Sequence, residues 1–160
     1  MKTYSILVVC TDNLCRSPTA EEVIRQKVIK NGLAGRVQVA SAATHDLNAG
    51  EPIDYHAQKH AMRRGYDLSS LRVRLLQPED FERVDLILAM EENNLLTLRM
   101  RCPPQYQHKL DYFTAYCSNP VRPDVPDPFY GKADDFERVL DIAEDASGGL
   151  LQHVRTQMGH

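Results

Sequence analysis

Apolar residues along the chain change period several times, and each change marks an element. "YSILVVC" (Tyr4–Cys10) is almost continuously apolar. That is the pattern of a strand covered on both faces, as in parallel sheets. Ala20, Val23, Ile24, Val28 and Ile29 then recur at helical spacing. The pattern predicts a helix with Ser17 as N-cap and Pro18 in its first position, stopping near Gly32. "RVQVASA" (Arg36–Ala42) alternates as a strand. Asp54 to Arg64 reads as a helix closed by Gly65. "VDLILAM" (Val84–Met90) is a second strongly apolar strand, with a short helix in "EENNLLTLRMR" after it. "HKLDYF" (His108–Phe113) is a fourth strand. Lys132 to Met158 reads as a closing helix, frayed or broken at Gly148-Gly149.

Strand and helix thus alternate. This predicts an α/β fold: a four-stranded parallel, doubly wound sheet with helices on both faces. Such sheets bind ligands beyond the carboxyl ends of their strands. The turn from Cys10 to Ser17 lies there, between the first strand and the first helix. So does the proline-rich loop "CSNPVRPDVPDPFYGK" (Cys117–Lys132).

Composition narrows the functional classes. The 160 residues suit one domain, spanning 1–160. A net charge of -3 gives no basic footprint, so nucleic acid is not an expected partner. The apolar run Ile6–Val9 is too short for a signal-peptide core, and no stretch is long enough to span a bilayer. The expectation is a cytoplasmic chain with no membrane insertion. Its four cysteines, Cys10, Cys15, Cys102 and Cys117, are then expected to be mainly reduced. Their spacing is not that of a zinc site, and no metal or other cofactor is expected.

The first turn carries the chemistry. "CTDNLCRS" lacks both the glycines of a dinucleotide fingerprint and the Gly-Lys-Ser/Thr of a P-loop ATPase. It has Cys-x5-Arg-Ser instead. Free N–H groups at a helix N-terminus attract an anion, usually phosphate. Arg16 can grip two oxygens with its planar fork. Those N–H groups and Arg16 are expected to lower the Cys10 thiol pKa. Ser17 can donate to the sulfur, and Asn13 tolerates a left-handed backbone. A thiolate beside an anion cradle suggests nucleophilic attack on phosphorus. The leaving oxygen then needs a proton. Asp127 in "VPDPFYG" is the candidate acid, with Asp124 its nearest competitor. Phe129 and Tyr130 are placed to wall the cleft.

Taken together, "VCTDNLCRSP" and "DPFYG" resemble the paired loops of the low-molecular-weight protein tyrosine phosphatases. "SAATHDLNAGEPID" and "DLILAMEENN" extend the likeness over essentially the whole chain. The resemblance implies Cys10 as the nucleophile of a phosphocysteine intermediate, Arg16 as the phosphate binder and Asp127 as the general acid. It implies loop support from Ser17, Asn13 and Ser41, and a Cys15 able to form a reversible disulfide with Cys10. Thr11 and Leu14 complete the loop. The implied partner is a phosphotyrosine-containing protein; oligomeric state is not implied.

Three positions depart from the family pattern. Asp12 replaces the loop glycine, and its carboxylate opposes phosphate if it turns inward. Leu71 replaces a supporting histidine, which is expected to loosen Asn13 or Ser17. Leu47, before Asn48, replaces a large aromatic residue and lowers the cleft wall. Three alternatives share the loop: an arsenate reductase, a phosphoarginine phosphatase, or a phosphate-binding module with weak turnover. Arsenate reductases usually need two further cysteines close in sequence, whereas Cys102 and Cys117 lie in different segments. Phosphoarginine phosphatases carry a threonine where this chain has Leu14.

Overall fold

A computed structural model describes residues 3–118, 124–128 and 132–159. Four strands form one parallel sheet: β1 (Tyr4–Cys10), β2 (Val37–Ala43), β3 (Leu86–Ala89) and β4 (Leu110–Tyr112). Their order is β2-β1-β3-β4. Chain order reverses beside β1, which pairs with β2 on one edge and with β3 on the other. The crevice beyond the carboxyl ends of β1 and β3 is therefore the switch point where such sheets hold ligands. Cys10 ends β1 there.

The helices are α1 (Arg16–Lys30), α2 (Tyr55–Arg63), α3 (Pro78–Arg83), α4 (Glu92–Arg101) and α5 (Ala133–Gln157). Alternate residues of β1 supply two cores. Ile6 and Val8 pack with α1, α2 and α5 on one face. Leu7 and Val9 pack with α3 and α4 on the other. Burial on both faces explains why β1 reads as an unbroken apolar run rather than an alternating one.

Several boundaries move. The second, third and fourth strands are observed over the narrower or shifted ranges given above. α1 starts at Arg16, with Cys15 as its N-cap and no side-chain cap bond, so Ser17 and Pro18 lie inside its first turn. Ser17 does not cap because its hydroxyl is committed elsewhere, as described below. α3 was not evident from the pattern; it is a single turn and a half, started by Pro78 and by Asp80 Oδ2 accepting from the Gln77 N–H at 2.8 Å. α5 runs unbroken through Gly148 and Gly149. The second glycine is there for contact, not for a break. A Cβ at Gly149 would sit 2.2 Å from the Tyr116 carbonyl oxygen, so the helix and that turn meet backbone to backbone.

Candidate active site

Cys10 is fully buried at the end of β1. The chain turns over it through Asn13, which has φ 58° and is the one non-glycine residue with positive φ among those described. Asparagine adopts that conformation more readily than most residues. The turn aims the Asn13 N–H at Cys10 Sγ, 3.2 Å away. Ser17 Oγ lies 2.9 Å from the same sulfur.

The Asn13 side chain sets the direction of these bonds. Its Oδ1 accepts from the Arg74 backbone N–H at 3.0 Å. Its Nδ2 therefore donates to Ser17 Oγ at 2.7 Å and to Ser41 Oγ at 2.9 Å. Ser41 gives its own proton to the buried carboxylate of Glu21, 2.5 Å away. A hydroxyl has one proton. Ser17 receives a proton from Asn13, so its own is left for Cys10. The sulfur thus faces two donors, which favours its ionised form.

Burial acts against them. Desolvation pushes the Cys10 thiol up from its ordinary value; Arg16 and the Ser17 hydrogen bond pull it down, while Asp12 pushes it up. The balance is upward, so the lowered thiol expected from the sequence is corrected. Removing the sulfur from water outweighs the neighbouring cation. Burial raises the Cys15 thiol too, with Asp54 and Asp12 adding to the effect. Both cysteines are free thiols.

Arg16 is 2% exposed and gathers three segments. Its Nη1 donates to Glu91 Oε2 at 2.9 Å and to the Val125 carbonyl at 3.1 Å. Its Nη2 lies 3.6 Å from Asp127 Oδ2. Burial alone would lower its pKa, but Cys10, Glu91 and Asp127 hold it above the ordinary value, so the cation is secure. Val125 N–H donates to the Met90 carbonyl at 2.6 Å, which ties the acid loop to the end of β3. Asp124 Oδ1 accepts from the Glu92 N–H at 3.0 Å and caps α4. The two candidate acids are thereby distinguished by position: Asp124 serves a helix, while Asp127 faces the arginine.

The low molecular weight phosphotyrosine protein phosphatase model matches residues 5–159. The chain belongs to that family. It is 37% identical to a low molecular weight protein-tyrosine-phosphatase of Streptomyces coelicolor, over 98% of this chain and 96% of that one. It is 36% identical to the human low molecular weight phosphotyrosine protein phosphatase, over 86% and 87%. A protein tyrosine phosphatase structure from Entamoeba histolytica, with Hepes in its active site, superposes with a TM-score of 0.92 at 34% identity. That match covers 98% of this chain and 99% of that one. The reading of the chain as a cysteine-dependent phosphatase holds.

Against the family pattern, the departures resolve one by one. Leu71 does not loosen Asn13. The Arg74 N–H, Ser17 and Ser41 satisfy the whole Asn13 amide, and Leu71 packs part-buried against the core. Asp12 does turn toward the sulfur: its Oδ1 lies 4.0 Å from Cys10 Sγ and accepts from the Leu14 N–H at 3.1 Å. Leu14 in turn accepts from the Asp54 N–H, which joins the loop to the start of α2. Thr11 Oγ1 accepts from Asn94 Nδ2 at 3.1 Å. Leu47 is 68% exposed, and Asn48 accepts from the Glu51 N–H in a turn. Phe129 and Tyr130 lie outside the described residues.

Cys102 and Cys117 pack on opposite faces of the sheet, which does not favour a disulfide relay between them. Among the described residues, no group of three or more His, Cys, Asp or Glu is arranged to hold a metal ion. No helix there is long and apolar enough to cross a membrane.

Sequence reasoning missed Glu21, Arg74, Glu91 and Val125. Arg74 and Val125 act through backbone atoms 61 and 109 positions from their partners, and no side-chain pattern marks them. Glu91 had a weak signal, since it directly follows an apolar strand that runs beside β1.

Proposed function

We propose that this chain hydrolyses phosphotyrosine in protein substrates, and small aryl phosphates, through a phosphocysteine intermediate. The observation that supports it most directly is a buried sulfur that receives two hydrogen-bond donors, one residue run before a buried guanidinium that faces a carboxyl group. Cys10 Sγ attacks phosphorus. Arg16 Nη2 and the loop N–H groups hold the phosphoryl oxygens as charge develops on them. Asp127, in its acid form, protonates the leaving phenol oxygen; as carboxylate it then takes a proton from the water that cleaves the S–P bond. Ser17 stabilises the thiolate on attack and again when it leaves. Leu14 offers an apolar surface suited to a phenyl ring rather than a guanidinium, which favours phosphotyrosine over phosphoarginine. We assign the protein to the cytoplasm, where phosphotyrosine proteins reside.

The test is hydrolysis of a series of aryl phosphates by wild type, Cys10→Ser and Asp127→Ala. Cys10→Ser should be inactive, and a wild type no faster than it removes the enzyme reading. Asp127→Ala should lose about 10²–10⁴-fold with poor leaving groups and much less with good ones. Equal losses across the series would take Asp127 out of the acid role.

A further inference from the structure

We propose that Asp12 is a specificity-determining residue that makes the anion cradle prefer a singly ionised phosphoryl group over a doubly ionised one. This rests on the phosphatase reading above and deepens it. The carboxylate comes about as near the sulfur as the oxygens of a bound phosphoryl group would, so it borders the cradle. Reacting atoms in a poised complex are about 3–3.5 Å apart, so the oxygens on phosphorus lie a little farther from the sulfur. Asp12 Oδ1 is 4.0 Å from Cys10 Sγ. It also occupies the Leu14 N–H, a loop donor that a glycine at position 12 would leave for substrate.

The surrounding charge makes this matter. Arg16 is the cation at the centre of the cradle, and it already faces Glu91 and Asp127. Asp12 and Asp54 both act on the neighbouring Cys15. His45 reaches the loop through its backbone N–H, which donates to the Thr11 carbonyl. A phosphoryl dianion entering here meets the Asp12 carboxylate as a like charge at short range. A monoanion brings a P–OH instead. That hydroxyl donates to the Asp12 carboxylate, which has lone pairs to spare beyond the Leu14 bond. The repulsion becomes a charge-assisted hydrogen bond.

Phosphate and sulfate separate the two cases, because the tetrahedral shape is shared while sulfate carries no proton at pH 5.5. The readout is protection of Cys10 from iodoacetamide, which needs no turnover. Wild type at pH 5.5 should be protected by phosphate at roughly tenfold lower concentration than by sulfate, and should lose that preference as pH rises through the second ionisation of phosphate. Asp12→Asn keeps the Leu14 hydrogen bond without the charge and should bring the two anions to within about threefold at either pH. Asp12→Gly, lacking both, should bind sulfate more tightly than wild type does. The same phosphate-to-sulfate ratio in wild type and Asp12→Asn overturns the proposal. So does failure of both anions to protect any variant. Protection with the expected ratios, but without aryl phosphate hydrolysis, overturns the phosphatase reading and leaves the charge selectivity standing.

Discussion

Cys10 and Asp127 serve the same cleft, yet the sulfur is fully buried while the Asp127 side chain keeps 44% of its surface exposed. Cys10, the proposed nucleophile, is held by a chain of side-chain bonds that runs from Glu21 through Ser41, Asn13 and Ser17, each with its proton direction fixed. Asp127, the proposed acid, is carried by a short peptide segment docked through the Val125 backbone on Met90 and Arg16 and through the Asp124 carboxylate on α4. One side is rigid through buried polar bonds that are costly to leave unmade. The other is a strap on the surface. The difference matches the chemistry: a thiolate must be kept stable and aimed, whereas a proton donor must meet leaving groups of different size.

The comparison breaks most sharply at Asn13. Asn13→Ala strands the Arg74 N–H, removes the donor to Ser41 and Ser17, frees the Ser17 proton and puts an alanine at φ 58°. It should lower kcat about hundredfold or more and stability by about 3 kcal/mol, read from turnover and a urea midpoint. An unchanged midpoint would show that the network does not carry the stability assigned to it. Next comes Asp124→Ala, which removes a cap that α4 borrows from the acid loop. A loss of about 1 kcal/mol is expected, with about tenfold slower turnover of poor leaving groups. Cys10 alkylation should change much less, because Arg16 is the link between the two sides and keeps its Glu91 bond; a comparable change there would show that they act as one unit. The smallest effect is at Ser17→Ala. Its hydrogen bond pulls the Cys10 thiol down. Without it the thiol titrates higher, thiolate is scarcer at neutral pH, and iodoacetamide reacts more slowly at pH 7. Faster reaction would show that the Ser17 proton points away from the sulfur.

How much of this was legible in the sequence follows the same division. β1 and its loop were readable because burial on both faces leaves an unbroken apolar run, and because Cys10, Arg16 and Ser17 are close in sequence. Ser17 was misread as a cap because Ser-Pro normally starts a helix; here the sulfur claims the hydroxyl, and the first-turn N–H groups are left for an anion. Gly148-Gly149 was misread as a break because propensity sees an exposed helix, not the Tyr116 carbonyl against it. Leu71 was read as a loss, since a missing histidine is visible in sequence and the Arg74 backbone N–H that holds Asn13 is not. The orientation of Asp12 was left open by the sequence, and only the 4.0 Å approach to Cys10 decides it.

The docking of Val125 has an evolutionary consequence. Its N–H touches the end of β3 and its C=O touches Arg16. Both contacts are made by main-chain atoms, so they need no particular side chain beyond an apolar one that fits the core, where Val125 is buried. Substitutions that leave those two peptide bonds and the Asp124 and Asp127 carboxylates in place are then at liberty to accumulate between relatives. On the proposed mechanism, a lineage could change such positions without rewriting Cys10, Arg16 or Asp127.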